Sequence, residues 1–295
     1  MKRIVVIGSI SMDLVVTSDK RPKAGETVIG EAFRTVPGGK GANQAVAAAR
    51  LGAQTQMVGC VGQDGFGKEI IANFEQNAVD VKHVRQSSDE VTGTAHIVLA
   101  EGDNSIVVVQ SANKNVTFKE EQLNELLDEE CFVLLQLEIP IETVRQVTAH
   151  CYARGIPVML NPAPSRPLPD EVVQQVTYMT PNEHECHDLF PNLSVEEALE
   201  MYPNKLLVTE GVRGVRFHDG TDVQHVPAIQ ANVVDTTGAG DTFNGALATA
   251  LVEGAKLVDA VRFAVVASGM SVEGFGAQGG MPTRENVQQR LERVR

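Results

Sequence analysis

Short runs of Val, Ile and Leu recur along the chain, and each gives way to a segment with helical features. The runs are Ile4–Ile7, Gln56–Val61, Phe132–Leu135, Val158–Leu160 and Leu206–Thr209. The helical segments include Ala42–Leu51, Gly67–Gln76, Ile141–Arg154 and Asp170–Val176. A strand that is apolar along its whole length has both faces buried. Such strands alternating with helices build a mostly parallel sheet covered on both sides. The expected fold class is α/β, a doubly wound α/β/α sandwich.

Two stretches break the rhythm. Leu14–Val36 is polar and rich in turns, with β-type patches such as Glu26-Thr27-Val28-Ile29. Thr92–Ser111 reads as a hairpin, Thr94–Leu99 and Ser105–Val109 joined by Glu101-Gly102-Asp103-Asn104. Both predict strands off the main sheet, forming a small β-sheet that is either a lid or a plain extension. From Gly240 onward three helices are expected, over Asp241–Glu253, Lys256–Val272 and Thr283–Arg293. With no repeat or linker, one main domain is expected: 1–12, 37–91 and 112–295 as the core, with 13–36 and 92–111 as the β insertion.

Charge narrows the partners. Lys and Arg number 25 against 38 Asp and Glu, a net charge of −13 in 295 residues. A general nucleic-acid or anionic-membrane binder needs a basic footprint, so neither partner is expected. A small anionic ligand needs only a local positive site and stays open. No run approaches the eighteen or so apolar residues of a membrane helix. The apolar start Ile4–Ile7 is too short for a signal peptide and is soon interrupted by Asp13. Cys60, Cys131, Cys151 and Cys186 are scattered without a C-x-x-C pair, as expected of reduced thiols in the cytoplasm.

Three segments could carry chemistry. In Val234-Asp235-Thr236-Thr237-Gly238-Ala239-Gly240-Asp241-Thr242-Phe243 a glycine-rich turn enters a predicted helix. Helix N-termini present unpaired N–H groups and a partial positive charge, and glycines let an anion approach closely. Asp241 in the first turn is either a stabilising cap or a proton acceptor for a hydroxyl attacking a phosphorus held there. In Val36-Pro37-Gly38-Gly39-Lys40-Gly41-Ala42-Asn43-Gln44 three glycines and a lysine precede an Ala-rich helix. That loop is either a capped turn or a polar-ligand site, with Asn43 placed to bond ligand hydroxyls. Asn161-Pro162-Ala163-Pro164 precedes Thr180-Pro181-Asn182-Glu183-His184-Glu185. Pro181 suits a helix start, which puts Asn182 and Glu185 three apart on one face. An amide oxygen and a carboxylate suit Mg²⁺, and a solvated first turn is the alternative. His184, Cys186 and His187 lack zinc spacing, and the histidines are expected at the surface.

Other glycine-rich segments fail on inspection. Gly62-Gln63-Asp64-Gly65-Phe66-Gly67-Lys68-Glu69 nearly spells a P-loop, but Glu69 stands where the Mg²⁺-binding hydroxyl belongs. Gly274-Phe275-Gly276-Ala277-Gln278-Gly279 matches G-x-G-x-x-G but follows a predicted helix, and a dinucleotide fold needs a strand there. No Gly-x-Ser-x-Gly elbow occurs.

Taken in order, these segments closely resemble the ribokinase (phosphofructokinase B-type) family of carbohydrate kinases over essentially the whole chain. Gly38–Gln44 is similar to the family's N-terminal signature and Asp235–Phe243 to its C-terminal one. The resemblance implies ATP-dependent phosphorylation of a sugar hydroxyl, with ribose O5 the leading acceptor and 2-deoxyribose, a ketohexose or a nucleoside as rivals. A non-catalytic sugar sensor of the same fold is the rival from another class. By similarity Asp241 is the base, and the N–H groups of Gly238, Ala239 and Gly240 form the anion hole.

Asp13, Gly39, Lys40, Asn43 and Glu138 match the family's sugar-binding positions, with Ser11, Gly41 and Ala42 beside them. Ser11 stands where members commonly carry Asn, a shorter hydroxyl in place of an amide. Asn182 and Glu185 match an N-x-x-E motif associated with Mg²⁺ and phosphate. Thr209-Glu210-Gly211-Val212-Arg213-Gly214 matches a nucleotide-contacting turn, or is simply a hairpin turn. Gly240 and Val265 fall near the nucleotide, Val265 where relatives often have a polar residue. The resemblance also implies K⁺ activation through Asp235 and Thr237, with carbonyls near Ser271, Gly274, Gly276 and Gly280. A homodimer joined through the β lids is implied as well.

Overall fold

The computed structural model describes residues 2–293. In chain order the elements are β1 (Arg3–Ile7), β2 (Ser11–Thr17), β3 (Ala32–Gly38), α1 (Lys40–Arg50), β4 (Thr55–Gly62), α2 (Gly65–Gln76), β5 (Val79–Ser87), β6 (Gly93–Ala100) and β7 (Asp103–Val109). Next come α3 (Glu120–Leu126), β8 (Cys131–Leu135), α4 (Ile141–Ala153), β9 (Val158–Leu160), α5 (Asp170–Gln175), β10 (Tyr178–Met179), α6 (Glu183–Leu189) and α7 (Val195–Met201). The chain closes with β11 (Leu207–Thr209), β12 (Val215–His218), β13 (Val223–Val226), α8 (Ala239–Val252), α9 (Leu257–Ser271) and α10 (Arg284–Arg293).

The apolar runs form a parallel six-stranded sheet in the order β10-β9-β8-β1-β4-β5. Bridges Met179–Leu206 and Asn182–Thr209 continue it into the antiparallel set β11-β12-β13. Alternation along β1 feeds two cores. Ile4 and Val6 pack with α1, α2, α8 and α9, while Val5 and Ile7 pack with α3, α4 and α5. This is the expected doubly wound α/β/α sandwich.

Helix α8 lies between α1 and α9 and is buried along most of its length, which explains why it is apolar nearly all round. A Cβ at Gly245 would stand 2.7 Å from the Ala47 Cβ, so α1 and α8 touch almost backbone to backbone. That contact sets the two helix N-termini side by side.

A second sheet, in the order β3-β2-β6-β7, leaves the main sheet directly after β1. Its first pair, β2 and β3, begins at Ser11 and ends at Gly38, two residues beyond 13–36 at each side, and β6 and β7 fall within 92–111. The hairpin forms as β6 and β7. The β-type patch Glu26–Ile29 is corrected: it has no strand partner and is irregular, and pairing starts only at Ala32. Ile29 is 86% exposed, so nothing packs on it to stabilise an extended segment.

Candidate active site

The N-terminus of α8 is built by Gly238, whose φ of 78° is the left-handed conformation glycine adopts freely. A Cβ there would lie 2.4 Å from the Ala277 carbonyl oxygen. The helical ladder begins when Thr242 N–H donates to the Gly238 carbonyl at 2.8 Å. Gly240 and Asp241 precede it, so their N–H groups have no carbonyl four residues back to bond. The Ala239 N–H makes a long bond, 3.3 Å, to the Thr236 carbonyl. Open space lies beyond the Gly240 Cα.

Asp241 is not a cap, which corrects that reading. It is the third helical residue, and its side chain turns away from its own helix. Asn43 Nδ2 donates to its Oδ2 at 2.9 Å and Gln44 Nε2 to its Oδ1 at 3.1 Å. Burial pushes its carboxyl upward, while Lys40 and the two amides oppose that. A buried carboxylate, poised upward and oriented from outside its helix, is suited to accept a proton.

Around it stand Asp13, Lys40 and Glu138. Burial, then Glu138 and Asp241, push the Asp13 carboxyl up to about 7. The Ser11 hydroxyl nearby pulls the other way, as does Lys40. Burial works against the Lys40 ammonium, but Asp241, Glu138, Glu185 and Asp13 outweigh it and hold its pKa above the ordinary value. Glu138 is fixed through one oxygen, which accepts from Ser9 Oγ and from the Lys40 N–H at 3.1 Å.

Gly39 needs its φ of 92°, and a Cβ there would meet the Ser11 nitrogen at 2.8 Å. Gly41 supports this cluster through its N–H, which donates at 3.3 Å to the Ser9 Oγ that holds Glu138. Gly41 presses on the backbone of Gly8 and Ser9, and Ala42 N–H donates to the Ser9 carbonyl. The Asn43 side chain is committed as well, donating to Asp241 and accepting from Gln278 Nε2 at 3.0 Å.

Two cavities adjoin at the turn before α8, and Lys40, Asn43, Glu138 and Asp241 line neither. One, about 580 Å³, lies under the second sheet and is lined by Asp13, Val36, Ile97, Asp235, Thr237 and Gly276, among others. The other, about 530 Å³, is largely apolar and is lined by Thr209, Gly211, Val212, Gly214, Gly240 and Val265. Val233 and Thr236 line both.

Glu210 and Arg213 do not line the second cavity. The buried Glu210 carboxylate accepts from Arg216 Nε at 2.7 Å, and Arg213 pairs with Glu183. Sequence reasoning missed much of the rest of the wall, including Ala228, Ile229, Ala231, Phe243, Ser268 and Gly269. Small and apolar side chains leave no motif. The one signal is Gly269, where a Cβ would fall 2.4 Å from Ile229 Cγ1.

Pro181 is not the first helical residue. Asn182 caps α6, and Asn182 and Glu185 bond reciprocally, 2.9 Å from Glu185 N to Asn182 Oδ1 and 2.8 Å from Asn182 N to Glu185 Oε2. That box commits one Glu185 oxygen and leaves the other for a hydrated cation. Burial raises the Glu185 carboxyl, with Lys40 among the groups opposing it. His184 and His187 are exposed and Cys186 is buried.

Asp235 receives the Thr237 N–H and the Gly276 N–H, each at 2.9 Å. Burial opposes the charge, but these bonds hold its carboxyl below the usual range. A Cβ on Gly280 would stand 1.9 Å from the Ser271 oxygen, and one on Gly274 would stand 2.5 Å from the Gly280 Cα. The cradle therefore admits no side chain at either glycine, and its oxygen donors fit a hard monovalent cation. Among the described residues no three His, Cys, Asp or Glu side chains cluster as a metal site.

The near-P-loop is occupied by its own chain. Asp64 accepts from the Gly67 N–H at 2.8 Å and the Thr92 N–H at 2.7 Å, where a phosphate would otherwise sit.

The pfkB family carbohydrate kinase model matches residues 1–284. The chain belongs to this family. Among pfkB relatives it is 56% identical over 293 residues to the ribokinase of Bacillus subtilis (strain 168), covering 99% of this chain and 100% of that one. It is 50% identical over 296 residues to the ribokinase of Lactococcus lactis subsp. lactis (strain IL1403), covering 100% and 98%. The structure of Arabidopsis thaliana ribokinase complexed with ribose and ATP superposes with a TM-score of 0.90 at 34% identity, covering 99% of each chain. As a pfkB member the chain is an ATP-dependent carbohydrate kinase, and the two adjoining cavities are the architecture such a transfer requires.

Proposed function

We propose that the protein transfers the terminal phosphoryl group of ATP to O5 of D-ribose, with Asp241 as the proton acceptor. The observation that carries the reading is the pair of cavities that adjoin at Val233 and Thr236 just before α8, one reaching Asp13 and the other Gly240, with the Asp241 carboxylate buried in the first turn of that helix. The high identity to ribokinases over the full chain supports ribose as the acceptor.

The adenosine part of ATP lies in the apolar cavity beside Val265, Gly211 and Val212. Its phosphates reach Gly240, where the free N–H groups and the helix dipole take up charge. Ribose lies at the Asp13 end of the other cavity, reaching toward Lys40 and Glu138, with Gly39 leaving room for its approach. Carboxylates and an ammonium suit a polyol, whose hydroxyls both donate and accept. Asp241 takes the O5 proton as the O5–P bond forms and the bond from phosphorus to the ADP oxygen breaks. The rest of catalysis is positioning and charge stabilisation by the Gly238-Ala239-Gly240 turn.

Glu185 would hold Mg²⁺ through water, which neutralises phosphate charge when bound. Asp235 and Thr237, with carbonyls of the Ser271–Gly280 loop, would hold K⁺ behind the anion hole. The second sheet acts as a lid. Both of its edge strands carry exposed apolar side chains, Val107 of β7 at 65% and Phe33 of β3 at 64%, which supports pairing with a second copy through this sheet. Four buried free cysteines fit a reducing cytoplasm. 2-Deoxyribose is a second acceptor to weigh, because Ser11 offers one short hydroxyl where family members commonly carry an Asn amide.

The test is ATP consumption by the purified protein with Mg²⁺, comparing D-ribose, 2-deoxy-D-ribose, fructose and adenosine, in K⁺ and in Na⁺. Ribose-dependent turnover favoured by K⁺ is expected. The variant Asp241→Asn should lose about 10²–10⁴-fold in kcat while still binding ribose. Sugar binding without turnover in the wild type would leave a sensor in place of an enzyme.

A further inference from the structure

Two chains of amides, all buried except the half-buried Asn73, converge on the carboxylate of Asp241. One runs from Asn73 Nδ2 to Gln278 Oε1 at 2.8 Å, from Gln278 Nε2 to Asn43 Oδ1 at 3.0 Å, and from Asn43 Nδ2 to Asp241 Oδ2 at 2.9 Å. The other runs from Gln136 Nε2 to Gln44 Oε1 at 2.7 Å and from Gln44 Nε2 to Asp241 Oδ1 at 3.1 Å. Gln44 and Gln136 are fully buried, and neither lines the cavities.

Every amide in both chains points its NH₂ group toward Asp241. An amide is as easily built the other way round, so something must choose the direction. The negative charge at the end chooses it, helped at Gln44 by Asn161 Oδ1, which accepts from the same Nε2 at 3.2 Å. A reversed Gln44 would aim its carbonyl at the carboxylate. A reversed Gln136 would set its carbonyl against the carbonyl of Gln44.

The first chain is anchored at α2 by Asn73. The second ends differently. The Gln136 Oε1 is buried without a hydrogen-bond partner, pressed on Gly8, where a Cβ would fall 2.0 Å away. A buried acceptor left unpaired destabilises the fold. It is tolerated here because the same amide supplies the donor that keeps Gln44 turned toward Asp241.

We propose that Gln44 and Gln136 are positioning residues for the transfer step, Gln44 holding the Asp241 carboxylate in its proton-accepting orientation and Gln136 acting only through Gln44. The inference rests on the reading of Asp241 as the base. The charged groups around Asp241 are Lys40 from α1, Asp13 from β2, Glu138 from the segment after β8, and Glu185 from α6. None of them bonds the two glutamines, so a change at either glutamine leaves the charged ring in place.

The experiment measures kcat, both KM values and the acidic limb of the kcat/KM profile for wild type, Gln44→Met, Gln136→Met, the double variant and Asp241→Asn, using Mg·ATP and ribose. Methionine keeps the length and removes the amide. Gln44→Met should lower kcat by about 10–100-fold, leave each KM within about 3-fold, and move the acidic limb up by about one pH unit, the loss of one charge-assisted bond. Gln136→Met should move both in the same direction by less. The double variant should match Gln44→Met, because Gln136 has no second route to Asp241.

An unmoved limb and kcat in both single variants would overturn the proposal. So would a Gln136→Met effect of equal size with and without Gln44. If Gln44→Met does not fold, judged by its thermal transition, Gln136→Met decides alone: wild-type kcat and limb overturn the proposal. Full turnover in Asp241→Asn would sink the base reading itself. An inactive Asp241→Asn beside normal glutamine variants would sink only the chain.

Discussion

Gly38 presents its bare Cα to the carboxylate of Asp13: a Cβ at Gly38 would stand 2.4 Å from Oδ1 and 2.5 Å from Oδ2. Both residues belong to the β2–β3 pair that opens the second sheet. The absent side chain therefore sets where the Asp13 carboxylate sits. Gly38→Ala should displace that carboxylate and raise the KM for ribose by about 10-fold or more, with the KM for ATP nearly unchanged. Steady-state kinetics with each substrate varied in turn checks this; equal rises in both KM values would contradict it.

Asp13 also makes stability depend on pH. Burial, with Glu138 and Asp241, raises its folded-state carboxyl from 3.8 to about 7. Between those values the folded chain holds a proton that the unfolded chain has released. Stability from this group is full below the unfolded value and is lost as pH rises through about 7. The ligand-free protein should therefore melt higher at pH 6 than at pH 8. Asp13→Asn should flatten that difference and raise the midpoint at pH 8. Parallel melting curves of the two proteins across this range would show the reasoning to be wrong.

Gly280→Ala addresses the cation cradle. Its Cβ would lie 1.9 Å from the Ser271 oxygen, so the loop must open to admit it. The ratio of turnover in K⁺ to turnover in Na⁺ should fall toward one, and the K⁺ activity should drop. A retained K⁺ preference would remove this loop from the cation site.

Gly240→Val tests the anion hole without disturbing the fold. No atom lies within 4 Å of the Cβ position at Gly240, so the side chain enters open space. The thermal midpoint should change little, while the KM for ATP rises and kcat falls, because the branched side chain stands where the phosphates pass. Unchanged kinetics would place the phosphates elsewhere.

Much of the fold is legible in the chain because β1, β4, β8 and β9 are buried on both faces, which writes continuous apolar runs into the sequence. The irregular segment Glu26–Ile29 was less legible. Val28 and Ile29 favour strands, but β pairing needs a neighbour, and none reaches this segment. The cap reading of Asp241 also failed for a local reason: residue type and position suit a cap, while the side chain's direction is set by α1, 198 residues away in sequence.

The sequence by itself determined the doubly wound class, the two glycine-rich helix starts and the acidic residue beside the anion hole. These follow from local rules of periodicity, φ preference and helix polarity. Only the tertiary structure decided what Asp241 bonds, which residues wall the apolar cavity, and that Gln44 and Gln136 stand behind the carboxylate. A buried amide or a small apolar side chain has no local signature. Its role is defined by partners brought together through the close α1–α8 contact, and that contact exists only once the sheet has folded.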